Sequence, residues 1–254
     1  MTEDLLVDKT GAVLTVTFNR PGQRNAMTWE MYQRLQQACE QADTDSDVRV
    51  MVLRGAGGEA FVAGTDIAQF TEFDGDQGIE YERRIGEILN RLAAVHVPVV
   101  AAIEGYCIGG GLGIAAVADV RISNTSAKFG VPIARTLGNC LSMSTLSVLT
   151  QLLGRSRTID LLLTARLMPA DEAVRCGFVT ASTDELDEEL DKLTSRLVAH
   201  APLTMWAAKE GMRRLHAGSV HDDDDIVRRV YGSEDFAGAV QAFLKKEKAT
   251  WVGR

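Results

Sequence analysis

Apolar residues along the chain follow strand and helix spacings in alternation. The segment Ala12–Phe18, AVLTVTF, carries β-branched and apolar residues and meets the turn NRPG, which is typical of a strand closed by a turn. Thr28 is suited to be a helix N-cap, and apolar residues recur at helical spacing from Trp29 to Asp43. We therefore expect a strand followed by one amphipathic helix.

Two further predicted strands lead into glycine-rich segments. Val48–Gly55, VRVMVLRG, has the branched content of a buried strand and precedes a long glycine-rich loop, GAGGEAFVAGTD. A helix from about Ile79 to Ala94 and a strand at Val97–Ile103 precede GYCIGGGLG, Gly105–Gly113. The repeated order of strand, glycine turn and helix predicts parallel β/α layers. Both glycine loops are expected at the carboxyl edge of neighbouring parallel strands.

The second half of the chain is predicted to be mainly helical. After a short strand in ADVRIS, the segment KFGVPIARTLGN is expected to be a loop, followed by helices at Leu141–Leu153 and Thr158–Thr164. From about Leu186 onward the pattern indicates a helical appendage. We predict a core over residues 1–185 and a C-terminal helical region over residues 186–254.

Composition narrows the class of protein. With 254 residues and 46% hydrophobic content, the chain can bury a core of about 200 residues plus an appendage. No apolar run approaches the ~20 residues of a membrane span, and the acidic start MTEDLLVDKTG differs from a signal peptide. A net charge of -8 opposes binding to nucleic acid and to an anionic membrane. We expect a cytoplasmic protein with neither partner.

Cysteine and histidine positions indicate neither a disulfide framework nor a metal site. The four cysteines are scattered without a C-x-x-C pair. The four histidines never fall at the i, i+4 spacing of a helical metal site. We therefore predict no metal.

The glycine run allows two chemical hypotheses. GLGIAA, Gly111–Ala116, satisfies the loose dinucleotide pattern G-x-G-x-x-A, but the acidic residue required about 20 positions later is missing from AKFGVPI. An oxyanion hole instead needs two N–H donors from different loops, and FVAGTDI supplies the second loop. A thioester or enolate oxygen is then expected between the N–H groups of Thr65 and Gly110.

The two glycine loops belong to a series of sequence motifs that spans nearly the whole chain. In order they are FNRPGQRNAMT, GEAFVAGTDIAQF, PVVAAIEGYCIGGGLGIAAVADVRIS, FGVP, LLLTARLMPADEAVRCGFV and SEDFAGAVQAFLKKEKATWVG. Their order and spacing resemble the enoyl-CoA hydratase/isomerase (crotonase) superfamily. The resemblance implies an α/β fold of the crotonase-like (ClpP/crotonase) type, a spiral of ββα units with a helical C-terminal trimerisation region. It also implies a homotrimer or a homohexamer built as a dimer of trimers.

The same resemblance implies an acyl-CoA ligand and no cofactor besides the coenzyme A of the substrate. The thioester oxygen would accept hydrogen bonds from the N–H groups of Thr65 and Gly110. Arg24 lies where members often place a cation near the CoA phosphates, although a solvated surface arginine fits the sequence equally well. The other implied acyl-CoA contacts are Ala26, Ala63, Asp66, Ile67 and Ala68. Phe243, Lys245, Lys246 and Lys248 fall where relatives cover the CoA, or are solvated residues of the last helix.

The sequence departs from the family at the catalytic carboxylates. Hydration of an unsaturated thioester uses two facing glutamates in the hydratases, one to activate water and one to deliver a proton. Gly113 and Ile133 stand at those two positions. An isomerase needs one carboxylate, and its usual place is again Ile133. Classical hydration is therefore not expected.

The loop ARTLGNCLSMS offers one alternative chemistry. Arg135, Asn139, Cys140 or Ser142 would work with the oxyanion hole in decarboxylation, thioester hydrolysis or lyase chemistry. A guanidinium at Arg135 suits a substrate carboxylate, although a surface salt bridge fits the sequence equally well. Cys140 has no histidine near it in sequence to activate the thiol.

Two other hypotheses remain open. A carboxylate of the predicted helix after the first glycine loop, Glu80, Glu82 or Glu87, would reach the site, or all three lie on a solvated helix face. Alternatively, the protein binds acyl-CoA without catalysis.

Overall fold

A computed structural model describes residues 3–67, 74–218 and 223–254 of the chain. In these ranges the strands are β1 (Leu5–Thr10), β2 (Val13–Phe18), β3 (Val50–Gly55), β4 (Ala60–Ala63), β5 (Val99–Ile103), β6 (Tyr106–Ile108), β7 (Val120–Ser123), β8 (Lys128–Gly130), β9 (Met168–Pro169) and β10 (Ala181–Ser182). The α-helices are α1 (Trp29–Thr44), α2 (Gly75–Ala93), α3 (Gly110–Val117), α4 (Met143–Leu153), α5 (Arg155–Thr164), α6 (Ala170–Arg175), α7 (Leu186–Val198), α8 (Pro202–His216), α9 (Asp224–Tyr231) and α10 (Glu234–Lys245).

Successive pairs of strands divide between two sheets. In the described part of the chain, one sheet has six strands in the order β1-β2-β3-β5-β7-β10, and the other has four in the order β4-β6-β8-β9. All neighbouring pairs are parallel except β1 with β2 and β8 with β9. The chain thus passes from β3 to β4 and α2, then from β5 to β6 and α3. This order confirms the predicted α/β spiral of ββα units.

Side chains of the larger sheet alternate between two apolar layers. Met51 and Leu53 of β3 face the main core, together with α1 and α2. Val50 and Val52 face the opposite layer, where Leu186 of α7 packs. Because successive residues of a strand point to opposite faces, a strand covered on both sides is apolar throughout. This explains the uninterrupted branched run that made β3 and β5 recognisable.

Local capping determines where the two long predicted helices begin. The Thr28 side chain accepts a hydrogen bond from the Met31 N–H, which confirms the predicted N-cap of α1. Helix α2 begins at Gly75, one turn earlier than the predicted Ile79. Asp74 and Gln77 form a reciprocal capping box there, which satisfies N–H groups that would otherwise lack partners.

Several short strands lie in segments that the sequence predicted as loops. Strands β4 and β6 fall inside the two glycine-rich segments, and β8 falls inside KFGVPIARTLGN. The prediction of plain loops there was wrong. So was the placement of the glycine loops directly after the long strands, because Thr65 follows β4 and Gly110 follows β6. Strands of three or four residues carry too few side chains for a period-2 pattern, and their hydrogen bonds come from neighbours distant in sequence.

The C-terminal part is helical, as predicted from Leu186 onward. Helices α7 to α10 account for most of the described residues after position 185. Among the helices of the described ranges, none combines the length and the apolar character needed to cross a bilayer. The division of the chain at residue 185 into two regions stays a prediction.

Candidate active site

The two glycine loops meet at the ends of two paired strands. Ala63 at the end of β4 pairs with Ile108 at the end of β6, so the residues that follow come together. A Cβ atom on Gly109 would lie 3.5 Å from the Gly64 Cα, and one on Gly110 would lie 3.3 Å from Thr65 Oγ1. The convergence of the Thr65 and Gly110 loops is therefore a property of the fold, through β4 and β6.

The N–H groups of Thr65 and Gly110 are available to a ligand. Met27 donates to the Gly64 carbonyl at 3.0 Å and accepts from the Asp66 N–H at 2.9 Å, which leaves the intervening Thr65 N–H without an acceptor among the described residues. Gly110 is the first residue of α3, where an N–H has no intrahelical partner. A helix N-terminus also favours negative charge. Both donors suit an oxygen that gains charge during a reaction.

A cavity of about 300 Å³ opens beside these donors. The described residues that line it are Ala63, Gly64, Thr65, Ile67, Tyr81, Glu82, Ile85, Leu89, Ile108, Gly109, Gly110, Gly113, Val131, Pro132, Ile133, Thr136, Leu137, Asn139, Leu141 and Thr145. Most of these side chains are apolar. Glu82 is the one carboxylate among them.

Glu82 is held inside the wall of the cavity. One carboxylate oxygen accepts a hydrogen bond from the Ser142 backbone N–H at 3.0 Å, and the side chain is half-buried. Burial raises the pKa of Glu82 above its ordinary value, and the bond from Ser142 opposes part of that shift. No cation of the described residues pairs with Glu82. A carboxyl group with a raised pKa in an apolar cavity is suited to proton transfer.

The other glutamates of α2 point away from the cavity. Glu80 pairs with Arg83 at 2.6 Å, Glu87 pairs with the same arginine, and both carboxylates are exposed. The structure thus brings Glu82 to the site and leaves Glu80 and Glu87 on the solvated face. A sequence signal for this choice existed, because Glu82 lies three and seven residues before Ile85 and Leu89 and so shares their helix face.

A chain of three hydroxyl groups supports the Thr65 loop. The Tyr32 hydroxyl lies 3.0 Å from Thr65 Oγ1, which lies 2.9 Å from the Tyr81 hydroxyl. Burial raises the pKa of both tyrosines, so that the hydroxyls stay neutral. Neither Tyr32 nor Tyr81 was predicted as a site residue from the sequence. Their apolar rings fit the helix pattern, and nothing in the sequence shows that their hydroxyls meet.

A comparison with known protein families decides the relationship of this chain. Residues 8–254 match the family model described as enoyl-CoA hydratase/isomerase. The chain belongs to this family.

Individual relatives agree with the family over the full length. The short-chain-enoyl-CoA hydratase of Clostridium acetobutylicum is 29% identical over 251 residues, 96% of each chain. The 2,3-dehydroadipyl-CoA hydratase of Escherichia coli K12 is 30% identical over 258 residues, 99% of each chain. A crystal structure of an enoyl-CoA hydratase/carnithine racemase from Magnetospirillum magneticum is 32% identical, with a TM-score of 0.93 over 100% of this chain and 97% of that one.

The positions expected to hold the two hydratase glutamates of this family both line the cavity. Gly113 leaves room, because a Cβ atom there would meet Leu89 Cδ1 at 3.4 Å. Ile133 packs against the core beside it. The cavity therefore has no carboxylate at either of these two positions.

The candidate catalytic residues of the loop ARTLGNCLSMS differ in how close they lie to the cavity. Asn139 lines the cavity and also a neighbouring cavity of about 760 Å³, to which Cys140 contributes. Arg135 is exposed and lines neither cavity. Ser142 caps α4 with its side chain and donates its N–H to Glu82. Catalytic roles for Arg135, Asn139 and Cys140 stay predictions.

Several of the predicted CoA contacts line the cavity or are joined to one another by hydrogen bonds. Arg20 donates to the Ala26 carbonyl at 2.8 Å and to Asp66 Oδ2 at 3.1 Å, which ties these two residues together. Ala63, Thr65, Ile67 and Gly110 line the cavity, and Ala68 lies outside the described residues.

The cations predicted near CoA are exposed. Arg24 pairs with Glu59 at 2.6 Å and lies over the Tyr106 ring, 5.2 Å from its centre. Near the C-terminus, Phe243, Lys245, Lys246 and Lys248 are all exposed. Their predicted contacts with CoA stay predictions.

Proposed function

We propose that this protein acts on acyl-CoA thioesters and shifts a carbon–carbon double bond next to the thioester, with Glu82 as the single acid/base. The observation that carries the proposal is the position of Glu82, the one carboxylate among the described residues lining the cavity. The relatives, which are named as enoyl-CoA and dehydroadipyl-CoA hydratases, support an acyl-CoA substrate.

The proposed reaction is a 1,3-proton transfer. The ionised carboxylate of Glu82 takes a proton from the carbon next to the thioester carbonyl, and the C–H electrons move toward the thioester oxygen. The resulting dienolate accepts hydrogen bonds from the N–H groups of Thr65 and Gly110. Glu82, now protonated, returns the proton to the γ-carbon, so that a β,γ double bond becomes an α,β double bond. Atoms and charge balance with no further reactant.

Two physical terms favour this chemistry. An oxyanion-hole donor contributes about 3 kcal/mol to transition-state stabilisation, because it meets charge that develops during the reaction. A positioned acid/base contributes about 10²- to 10⁴-fold in rate. The raised pKa of Glu82 brings its basicity closer to that required at neutral pH.

The site supports isomerisation better than hydration. Hydration needs one group to activate water and another to protonate the α-carbon. With Gly113 and Ile133 in the wall, Glu82 would have to activate the water and also supply the proton to the α-carbon. A 1,3-transfer instead delivers the proton to the same face from which it came.

The experiment is the conversion of 3-butenoyl-CoA to crotonyl-CoA, followed by the ultraviolet absorbance of the conjugated product. Glu82→Gln should lower kcat/KM at least 100-fold, because the amide cannot accept the proton. Glu87→Gln, an exposed glutamate of the same helix, is the matched control and should change kcat/KM less than twofold.

Deuterium exchange separates this proposal from binding without catalysis. In D₂O, the wild-type protein should exchange the α-hydrogens of 3-butenoyl-CoA and Glu82→Gln should not. Binding of acyl-CoA by the wild-type protein with neither exchange nor isomerisation would refute the catalytic proposal and support a binding protein.

We also propose that the protein forms a homotrimer or a homohexamer. The C-terminal helices expose large apolar side chains, which favours an association surface. Examples are Met212, Leu215, Tyr231, Phe243 and Leu244.

A further inference from the structure

A second cavity, of about 200 Å³, lies at the amino ends of parallel strands in the larger sheet. Arg49 directly precedes β3, and His96 and Pro98 precede β5, so the cavity adjoins the amino ends of these parallel strands. Trp206 of α8 and Arg229 of α9 line it from the C-terminal helices. None of the described residues that line it also lines the proposed acyl-CoA cavity, so the two cavities are separate.

Arg49 has hydrogen-bonding capacity that the protein leaves unused. Its Nη2 donates to the His200 carbonyl at 2.9 Å. Its Nε is buried and has no hydrogen-bond partner. Buried polar nitrogens are rarely left unpaired, because desolvation without a partner costs free energy. No carboxylate of the described residues pairs with this guanidinium.

Arg229 is oriented by an aromatic ring. Its guanidinium lies over the Trp206 ring, 4.1 Å from the centre, and no described carboxylate pairs with it. Stacking fixes the plane of a guanidinium and leaves its N–H edge free for hydrogen bonds. A second cationic group thus lines the same cavity.

Neighbouring carboxylates already have their own partners. Asp43 accepts from Arg91 at 2.6 Å and from the His96 N–H at 2.7 Å. Asp235 accepts from the N–H groups of Val252 and Gly253 at 2.6 and 3.0 Å. Neither lines the cavity, which therefore carries an excess of positive charge on a chain of net charge -8.

We propose that this cavity binds the phosphate or carboxylate group of a small ligand between Arg49 and Arg229, with His96 at its edge. Planar guanidinium groups match the paired oxygens of such anions. Oxygens of such a ligand would accept hydrogen bonds from the guanidinium groups of Arg49 and Arg229, both of which line the cavity. The site is independent of the proposed acyl-CoA chemistry.

Isothermal titration calorimetry at constant ionic strength tests the proposal, with inorganic phosphate and acetate as probes. Saturable binding of either anion is expected, and the stronger of the two identifies the ligand group. Arg229→Gln should weaken that binding at least tenfold. Arg228→Gln removes the same charge from the adjacent residue, which does not line the cavity, and should change affinity less than twofold.

Two results would overturn the proposal. One is the absence of saturable binding by both anions, as expected if the cavity is instead filled by another copy of the chain. The other is an equal loss in Arg228→Gln and Arg229→Gln, which would indicate a general charge effect. Arg49→Gln should also abolish binding. If the Arg49→Gln variant does not fold, Arg229→Gln decides the question, because Arg229 is exposed and its replacement should not disturb folding.

Discussion

Replacement of Gly110 by alanine tests the proposed oxyanion hole most directly. The added Cβ atom would lie 2.8 Å from the Tyr32 hydroxyl oxygen and 3.3 Å from Thr65 Oγ1. The first distance is well inside the ~3.5 Å of a favourable contact between non-bonded carbons. Tyr32 is fully buried, so its ring has little freedom to move away. The Gly110 backbone must shift instead, and its N–H shifts with it.

The size of the expected effect follows from that displacement. Loss of one oxyanion-hole donor costs about 3 kcal/mol, which corresponds to about 100-fold in rate. Misplacement by about 1 Å has an effect of the same order. We therefore expect Gly110→Ala to lower kcat/KM for 3-butenoyl-CoA by about 100-fold, with helix content by circular dichroism unchanged.

Two companion variants identify the cause. Tyr32→Phe removes the hydroxyl that the new Cβ would meet, so the double variant Tyr32→Phe/Gly110→Ala should recover at least tenfold over Gly110→Ala alone. Gly113→Ala places its Cβ 3.4 Å from a flexible leucine end and should cost less than tenfold. If Gly110→Ala stays within threefold of the wild-type protein, the Gly110 N–H does not hold the substrate oxygen.

Three further outcomes are expected. Isomerisation should rise with pH as Glu82 loses its proton, with a midpoint above the ordinary glutamate value of 4.5, and a flat profile would exclude Glu82 as the base. Because the folded pKa of Glu82 is raised, its ionisation opposes folding: the stability of the neutral form is fully present below 4.5 and is lost as the pH rises through the folded pKa. The melting temperature of Glu82→Gln relative to the wild-type protein should therefore increase from pH 4 to pH 8 in differential scanning calorimetry, and a decrease would contradict the assigned direction. Hydration of crotonyl-CoA should stay well below about 10 per second, and a faster rate would show that Gly113 and Ile133 do not mark a lost acid/base pair.

Much of the candidate site could be predicted from the sequence. The Thr65 and Gly110 loops were identified because each follows an apolar strand and contains the glycines that let a backbone N–H approach a ligand. The two loops do lie together, because a Cβ atom added to Gly110 would lie 3.3 Å from Thr65 Oγ1. The sequence did not decide which glutamate of α2 reaches the site. The position of Glu82 on the same helix face as Ile85 and Leu89 was the one signal for it.

The sequence by itself determined the set of long elements. It also showed Gly113 and Ile133 at the two positions where the family resemblance implies glutamates. Helix α1 and strands β3 and β5 depend on local spacing, capping and branched side chains, which are properties of neighbouring residues. Only the tertiary structure decided that β4 and β6 pair and that Glu82 meets the Ser142 N–H, 60 residues away. It also placed Arg49 and Arg229 on one cavity. These contacts join residues far apart along the chain, so that packing of whole elements, rather than any local pattern, determines them.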